Sequence, residues 1–353
     1  MSSIELLSPG RIDGFDTSNR IVMAPMTRSR ADAGGVPSEL AIEYYVQRAS
    51  AGLIITEGTA PSAVGIGYAR TPGIHSEEQI AAWKKITDAV HAKGGRMFCQ
   101  FMHVGRIAHP NNRYTDAPSI APSAVQAEGQ MWTDQEAMQD HPEPRALETS
   151  EIPGVIEEYA QATRNALAAG FDGVEFHSAS GYLPMQFLSS NTNLRTDNYG
   201  GSVQNRIRFV IESLEAMIVA AGDASKVAIK ISPAMPFNDI HDADPKETYT
   251  TLVSALAPMG LAYLHILRTA LPETFEMLKP LYPGTLAVGG AFTKASGNEA
   301  LESGLADFVV FGKLFTSNPD LPARFAQDAE LVEPNPDTFY SPGPEGYTTY
   351  GSL

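Results

Sequence analysis

The amino-acid sequence predicts an α/β protein folded as a single closed (β/α)₈ barrel, the TIM barrel. Short and almost continuously apolar segments occur eight times, and each is followed by a longer segment with helical periodicity. Strands that are apolar on both faces must be covered on both faces, which favours a parallel sheet. Eight such units in one chain favour a closed barrel over an open, doubly wound sheet.

The predicted strands and helices alternate along the chain. The strands cover residues 21–25, 53–56, 96–100, 173–176, 227–231, 263–266, 285–288 and 308–311. The helices cover residues 38–51, 77–93, 155–169, 202–221, 245–258, 273–281, 294–303 and 320–328. In the second helix, Ile80, Trp83, Ile86 and Val90 recur at spacings of three and four and therefore share one face. Gly94 then ends this helix.

A barrel of this kind needs about 250 residues, which leaves segments 1–19, 104–155 and 329–353 outside it. The middle segment follows the third strand, contains several prolines and has little helical or strand periodicity. We expect it to be a long excursion that covers the barrel mouth as a lid or substrate wall; a loop without function is the alternative. Because no repeat, low-complexity tract or linker interrupts the sequence, residues 1–353 are expected to form one domain.

Composition narrows the classes of function. The formal net charge is −16, with 41 acidic and 25 basic side chains, which argues against a nucleic-acid partner and against an anionic membrane. The single cysteine, Cys99, excludes an intramolecular disulfide and a multi-cysteine zinc or iron–sulfur site, and its apolar surroundings predict a core residue. The first residues lack a signal-peptide pattern, and no segment reaches the ~20 apolar residues of a membrane span. We therefore expect a cytoplasmic protein. The sequence is compatible with a monomer and with a homodimer.

The fourth predicted strand belongs to the run GVEFHSASGYLPMQFL, which ends in a polar, turn-forming sequence. This run brings His177, Ser180 and Tyr182 into one region. Histidine and tyrosine both transfer or polarise protons, so the pattern is typical of a catalytic site at a strand end. A core histidine beside a packed tyrosine is the alternative, and it would be favoured for an isolated pair.

The other strand ends also carry candidates, because barrel active sites lie at the carboxyl ends of the strands. Glycines and a lysine follow the seventh and eighth strands, which is typical of a phosphate site, so we expect a phosphorylated cofactor. The candidates are Ala24, Pro25, Met26 and Thr27 at the first strand, Gly58 at the second, Gln100 at the third, Lys230 at the fifth, Gly289 and Gly290 at the seventh, and Gly312 and Lys313 at the eighth.

Several strings, taken in their order, resemble the old yellow enzyme family of flavin-dependent ene-reductases. They include NRIVMAPMTRSR, GLIITEG, HVGR, AGFDGVEFHSASGYL, NLRTDNYGGSVQNR and ADFVVFGKLFTSNPDL. The resemblance extends from about Asn19 to Leu321 and resumes near Tyr340. Thr27, where other members carry cysteine, is similar to the branch that includes N-ethylmaleimide reductases.

The resemblance implies FMN in the barrel mouth, reduced by NADPH or NADH, and an activated alkene as the small-molecule substrate. Thr27, the backbone near Pro25 and Gly58, and the Gln100 amide would bind the flavin ring. Lys230 would lie beside the part of the ring that becomes anionic on reduction. The absence of a G-x-G-x-x-G sequence agrees with a nicotinamide cofactor that reaches the flavin through the substrate pocket.

The resemblance also implies the catalytic roles. His177 and Ser180 would hydrogen-bond the carbonyl or nitro group of the alkene while hydride passes from the flavin to the β carbon. Tyr182 would then protonate the α carbon. The residues implied to line the substrate pocket are Tyr68, Met102 and Tyr340.

Four residues depart from the family pattern. Ser180 stands where asparagine or histidine is usual, and its shorter side chain predicts slower turnover or a water that bridges it to the substrate. Lys230 and Lys313 stand where arginine is usual, and the loss of a bidentate guanidinium predicts weaker FMN binding. Met102 stands where tryptophan is common, which predicts a roomier pocket.

Two other functions remain compatible with the sequence. Lys230 at a strand end suits a lyase or aldolase that forms a Schiff base, and such an enzyme would bind no flavin. Ser180, in place of the usual partner, suits a non-catalytic flavin protein that senses redox state or a ligand. That protein would bind FMN without passing hydride to an alkene.

Overall fold

A closed parallel barrel forms the centre of the molecule, whose computed structural model describes residues 5–269, 271 and 273–353. An amino-terminal hairpin, β1 (Gly10–Ile12) and β2 (Phe15–Thr17), precedes the barrel. The barrel strands are β3 (Ile21–Met23), β4 (Leu53–Ile55), β5 (Met97–Phe101), β10 (Gly173–Ser178), β11 (Val227–Ile231), β12 (Leu264–Leu267), β13 (Leu286–Gly289) and β14 (Phe308–Phe311). β14 pairs with β3, with Val309 opposite Ile21, and this closes the barrel. The predicted fold class is confirmed, and the predicted strand ends differ by at most two residues.

Helices cover the outside of the barrel. They are α1 (Leu40–Val46), α2 (Glu77–His91), α3 (Ile152–Ala168), α4 (Leu183–Leu188), α5 (Val203–Arg206), α6 (Arg208–Ala221), α7 (Pro245–Leu256), α8 (Thr274–Leu278), α9 (Lys294–Glu302), α10 (Lys313–Ser317) and α11 (Leu321–Gln327). Ser76 and Gln79 form a capping box that starts α2. The helix predicted over residues 202–221 is divided at Ile207 into α5 and α6. Among the described residues, we find no helix with the length and apolarity needed to cross a bilayer.

The barrel interior is apolar at its amino-terminal end. Val22, Leu53, Phe98 and Phe308 belong to one buried cluster there, together with Ile12 of the hairpin. The β1–β2 hairpin therefore closes this end of the barrel, a role that the sequence did not predict for segment 1–19. The first four residues of that segment lie outside the described residues. Cys99 is buried, as predicted, and burial raises the pKa of its thiol to about 12.

The excursion over residues 104–155 contains more regular structure than its sequence predicted. It holds β6 (Ile120–Ala121), β7 (Gln130–Thr133), β8 (Ala137–Asp140) and β9 (Arg145–Ala146). β7 and β8 form an antiparallel hairpin, with Thr133 opposite Ala137 at the turn. The strands are too short for their alternation to stand out from the surrounding prolines and polar residues. The predicted position of the excursion, over the barrel mouth, is confirmed by the cavity described below.

The carboxyl-terminal segment returns to the barrel mouth and is held there by two arginines. Arg28 donates from Nε to the carbonyl oxygen of Phe339 at 3.2 Å and from Nη2 to that of Gly346 at 2.7 Å. Arg30 donates from Nη2 to the carbonyl oxygen of Thr338 at 2.9 Å. Both guanidinium groups also lie against the ring of Tyr347. Arg28 therefore has a structural role.

Candidate active site

A cavity of about 790 Å³ opens at the carboxyl ends of the barrel strands. Four predicted site residues line it: Thr27, Tyr68, Tyr182 and Tyr340. The excursion and the carboxyl-terminal segment supply further walls, including Met131, Trp132, Met138, Pro336 and Pro342. Trp132 and Tyr340 are each more than half exposed at the rim. The cavity is thus a cleft with apolar and aromatic walls, the form that small-molecule sites usually take.

Tyr182 is held with its hydroxyl inside the cavity. It precedes α4, and its hydroxyl donates to the hydroxyl oxygen of Tyr68 at 3.2 Å. The Asn238 side chain, which lines the same cavity, lies near both hydroxyls. Burial raises the pKa of the Tyr182 phenol well above its usual range, and the Tyr68 hydrogen bond adds to this effect. The phenol is therefore neutral and carries a proton that it can donate.

His177 lies at the end of β10, next to Tyr182. The two rings meet edge to face with 5.1 Å between their centroids. Burial lowers the pKa of His177 well below its usual value, and the positive charges of Lys230 and His265 act in the same direction. His177 Nδ1 is buried and has no protein partner among the described residues. A neutral imidazole with an unpaired nitrogen fits a group that hydrogen-bonds a ligand.

Ser180 is placed differently from the expectation for a substrate donor. Its backbone has φ of 57°, in the left-handed region, and its amide donates to Ser232 Oγ at 2.9 Å. Its hydroxyl lies 3.6 Å from the sulfur of Met235, in the loop after β11. Asn238 Nδ2 donates to the Ser180 carbonyl oxygen at 2.8 Å. The structure therefore brings His177 and Tyr182 together but directs the Ser180 hydroxyl towards Met235.

Beneath His177, a buried polar cluster occupies the barrel interior. Glu175, two residues earlier on β10 and fully buried, accepts a hydrogen bond from Gln100 Nε2 at 2.7 Å through Oε1. Its Oε2 lies 3.1 Å from His265 Nδ1. Burial raises the pKa of the Glu175 carboxyl, but the charges and hydrogen bonds of His265, Lys230 and Gln100 outweigh burial and leave the pKa below its usual value. Burial lowers the pKa of Lys230, and the Glu175 carboxylate opposes that shift.

The glycines at the ends of β13 and β14 differ in the space around them, and only Gly290 is tightly enclosed. Gly290 has φ of 122°, and a Cβ built on it would lie 2.6 Å from Arg268 Cβ. A Cβ on Gly289 would approach His265 Nε2 at 3.2 Å, and one on Gly312 would lie 3.5 Å from Ala24 Cβ. Only glycine therefore satisfies the backbone at position 290. Met26 also lies beside Gly312, so the candidates after β3 and β14 are neighbours.

Lys313 directly follows Gly312, but its side chain is exposed and pairs with another residue. Its Nζ pairs with Glu333 Oε2 at 3.1 Å, and the two side chains are 66% and 77% exposed. Met102 is also removed from the cavity, because it is buried beside Gly58, where a Cβ would lie 2.6 Å from its sulfur. Met102 packs with Val104, Ile107 and Tyr182 instead.

Arg70 joins the parts of the chain that form the cavity wall. It donates from Nε to the Ser29 carbonyl oxygen at 3.0 Å and from Nη2 to that of Tyr340 at 2.9 Å. It also pairs with Asp134, in the turn between β7 and β8. The excursion, the segment after β3 and the carboxyl-terminal segment are therefore linked through one guanidinium group.

Sequence reasoning missed three of these residues. Glu175 lies within the predicted fourth strand, and its inward direction follows from its two-residue spacing to His177. Asn238 and Arg70 lie in loops, where sequence periodicity carries no information about direction. The turn sequence MPFND after the fifth strand is the one signal that marks Asn238.

The mouth of the barrel fits a flavin. Buried His177, near the carboxyl end of β10, leaves Nδ1 without a partner among the described residues, and Lys230 places a cation in the same layer, opposite His177 on β11. Gln100 keeps its amide oxygen available, because its NH₂ group donates to Glu175. The backbone at Gly290 excludes any side chain, which suits close approach of a phosphate.

A TIM barrel with these groups at its mouth has the architecture of a flavin-dependent oxidoreductase. The chain belongs to the NADH:flavin oxidoreductase / NADH oxidase family, whose model matches residues 5–331. This family includes FMN-dependent alkene reductases. The resemblance to the old yellow enzyme family is therefore confirmed.

Individual relatives agree with the family assignment. The chain is 43% identical to 12-oxophytodienoate reductase 7 of Oryza sativa subsp. japonica, over 99% of this chain and 94% of the relative. It is 42% identical to a probable flavin mononucleotide-dependent alkene reductase of Leishmania infantum, over 98% and 96% of the two chains. Among solved structures, an old yellow enzyme homologue from Zymomonas mobilis superposes with a TM-score of 0.96 at 38% identity, covering 99% and 100% of the two chains. Morphinone reductase in complex with tetrahydroNAD superposes with a TM-score of 0.94 at 42% identity, and the match covers 99% of this chain and 97% of that one.

Proposed function

We propose that this protein reduces the carbon–carbon double bond of alkenes activated by a carbonyl or nitro group, with NADPH or NADH as the reductant. The observation that carries the proposal is the Tyr182 phenol, which is buried, neutral and inside the cavity. It lies beside the neutral imidazole of His177. A proton donor next to a hydrogen-bonding group is what protonation of the α carbon of a polarised alkene requires.

FMN, when bound, supplies the hydride chemistry of this reaction. Gln100, Lys230 and Thr27 would hold its ring, and the backbone of Gly289, Gly290 and Gly312 would hold its phosphate. Lys313 would add positive charge at the phosphate after leaving Glu333. Pro25, Gly58 and the residues around Ala24 and Met26 would complete the cofactor pocket.

On the substrate side of the pocket, one residue would orient the alkene and another would transfer the proton. His177 would hydrogen-bond the carbonyl or nitro oxygen through its unpaired nitrogen and stabilise the charge that develops there. Tyr182 would give its phenolic proton to the α carbon, while its hydrogen bond to Tyr68 holds the phenol in place. Ser180 would reach the substrate only after its hydroxyl turns away from Met235. Tyr68 and Tyr340 would flank the alkene, with Met102 behind Tyr182.

The same cavity would admit the nicotinamide cofactor. At about 790 Å³ it is within the usual range for small-molecule sites, and the exposed rings of Trp132 and Tyr340 leave its rim open. The two half-reactions would then alternate in one pocket. This arrangement needs no separate dinucleotide-binding motif.

An anaerobic absorption titration tests the proposal. NADPH, and in a parallel sample NADH, is added to the FMN-loaded protein, followed by 2-cyclohexenone or N-ethylmaleimide. We expect the flavin band to bleach with the reductant and to return with the alkene. Bleaching without return, over a panel that includes a nitroalkene, would favour a non-catalytic flavin protein, and a protein that takes up no FMN would contradict the proposal.

A further inference from the structure

We propose that the Glu175 carboxylate is a positioning residue that fixes the direction of the Gln100 amide and lowers the reduction potential of the bound flavin. The inference rests on FMN binding as proposed above. It concerns a residue that lies below the pocket and is not part of the cavity wall.

Glu175 has polar partners around its carboxylate. Gln100 Nε2 donates to Oε1 at 2.7 Å, and His265 Nδ1 lies 3.1 Å from Oε2. The carboxylate also raises the pKa of the nearby Tyr263 phenol, after the larger effect of burial. Three barrel strands besides β10 therefore contribute a partner or a neighbouring charge: β5, β11 and β12. A carboxylate this well provided with donors retains its negative charge when buried.

The carboxylate determines which end of the Gln100 amide faces the cofactor pocket. An ionised carboxylate only accepts hydrogen bonds, so Gln100 must present its NH₂ group to Glu175. The amide oxygen of Gln100 is then left to accept a hydrogen bond on the opposite side. A flavin pyrimidine ring offers an N–H donor, which matches that oxygen. Glu175 thus determines an orientation that the identity of Gln100 alone leaves open.

The charge of Glu175 acts on the cofactor through a medium of low dielectric constant. Its side chain is completely buried, and the apolar cluster of Val22, Leu53, Phe98 and Phe308 fills the barrel below it. Water and salt therefore screen this charge poorly. Lys230, in the next layer of the barrel, provides the opposite charge. Glu175 thereby offsets part of the positive potential that would otherwise favour the reduced, negatively charged cofactor.

The sign of the effect of Glu175 on the flavin midpoint potential follows from its negative charge. Removing a negative charge near the flavin makes reduction more favourable, so Glu175→Gln is expected to shift the midpoint potential to more positive values. We expect a change of about tenfold or more in the reduction equilibrium, which is about 30 mV for a two-electron couple. If Glu175 has only a structural role, Glu175→Gln would change the free energy of unfolding and leave the midpoint potential of the flavin unchanged.

The experiment measures midpoint potentials of FMN-loaded proteins by anaerobic equilibration with reference dyes. Glu158→Gln is the matched control, because Glu158 is a partly buried carboxylate with a pKa raised by burial, on α3 outside the barrel wall. A positive shift in Glu175→Gln, with no shift in Glu158→Gln, supports the proposal. An unchanged or more negative potential in Glu175→Gln overturns it.

A second pair of variants covers the case in which Glu175→Gln does not fold. Lys230→Met and the double variant Lys230→Met/Glu175→Gln differ only in the same carboxylate, within a barrel that has lost its buried cation. The double variant is expected to have the more positive potential, and equal potentials overturn the proposal. Because these titrations use no alkene, they remain decisive if alkene reduction fails; a protein without FMN would contradict the proposed function instead.

Discussion

The two ends of the candidate cofactor pocket are built in different ways. At the end of β10, His177 and Tyr182 are buried and their neighbours are already in place. At the ends of β13 and β14, the backbone of Gly290 is tightly constrained, while the Lys313 side chain is exposed and paired with Glu333. The first end is organised by side chains and the second by the main chain. Substitutions of side chains should therefore have large effects at the first end and small effects at the second.

The largest effect is expected for Tyr182→Phe. Loss of a general acid typically slows a proton-transfer step by about 10²- to 10⁴-fold, so the alkene half-reaction should slow by that factor. Reduction by NADPH or NADH needs no proton from Tyr182 and should change by less than about twofold. Stopped-flow absorbance measures the two half-reactions separately.

Tyr249→Phe is a matched control for this prediction. Tyr249 is buried, its hydroxyl has no hydrogen-bond partner among the described residues, and it is not part of the cavity wall. Both half-reactions should be unaffected in this variant. Equal losses in the two half-reactions of Tyr182→Phe would contradict the role of Tyr182 as the proton donor.

An intermediate effect is expected for Gly290→Ala, which tests the end of the pocket at β13 and β14. The added Cβ meets Arg268 and the backbone has positive φ, so the free energy of unfolding should fall by about 1–3 kcal/mol. FMN affinity should fall as well, because the loop must shift. Urea unfolding and fluorescence titration with FMN measure the two effects.

Gly222→Ala provides the comparison for position 290. Gly222 ends α6 with φ of 71°, and a Cβ there has no atom within 4 Å. The free energy of unfolding should fall only by the cost of placing a Cβ at positive φ, about 1 kcal/mol. FMN affinity should not change. If Gly222→Ala weakens FMN binding as much as Gly290→Ala does, the glycine at 290 has no special role at the phosphate.

The smallest effect is expected for Lys313→Gln. Exposed ion pairs contribute up to about 1 kcal/mol, so FMN affinity should fall by at most about fivefold. Lys313→Arg should tighten FMN binding slightly, because a guanidinium binds phosphate through two parallel hydrogen bonds. Titrations at low and high salt check this assignment, since the difference between variants should shrink as salt is added. A loss far above fivefold would show that the side chain, rather than the backbone, dominates the phosphate end.

The sequence predicted the barrel because its strands are buried on both faces and therefore stand out as apolar runs. It did not predict the β1–β2 and β7–β8 hairpins, whose short strands contain polar residues and therefore lack an apolar run. The single-domain organisation stays a prediction.

The candidate site was predictable where residue type alone indicates chemistry, as at His177 and Tyr182. It was not predictable where the role of a residue depends on the direction of its side chain. The Ser180 hydroxyl faces Met235 because the backbone of Ser180 is left-handed, and the Lys313 side chain turns to Glu333. Glu175 has partners 75 and 90 residues away in the sequence, so its importance depends on barrel closure.

Arg28 and Arg30 hold the segment that carries Tyr340 against the loop after β3, across sequence separations of 308 to 318 residues. During synthesis on the ribosome, this part of the pocket wall therefore forms only when nearly all of the barrel has left the exit tunnel. Contacts of such long range close late and slowly. The nascent barrel is thus expected to carry an open mouth, and cofactor added at that stage would meet an unfinished pocket.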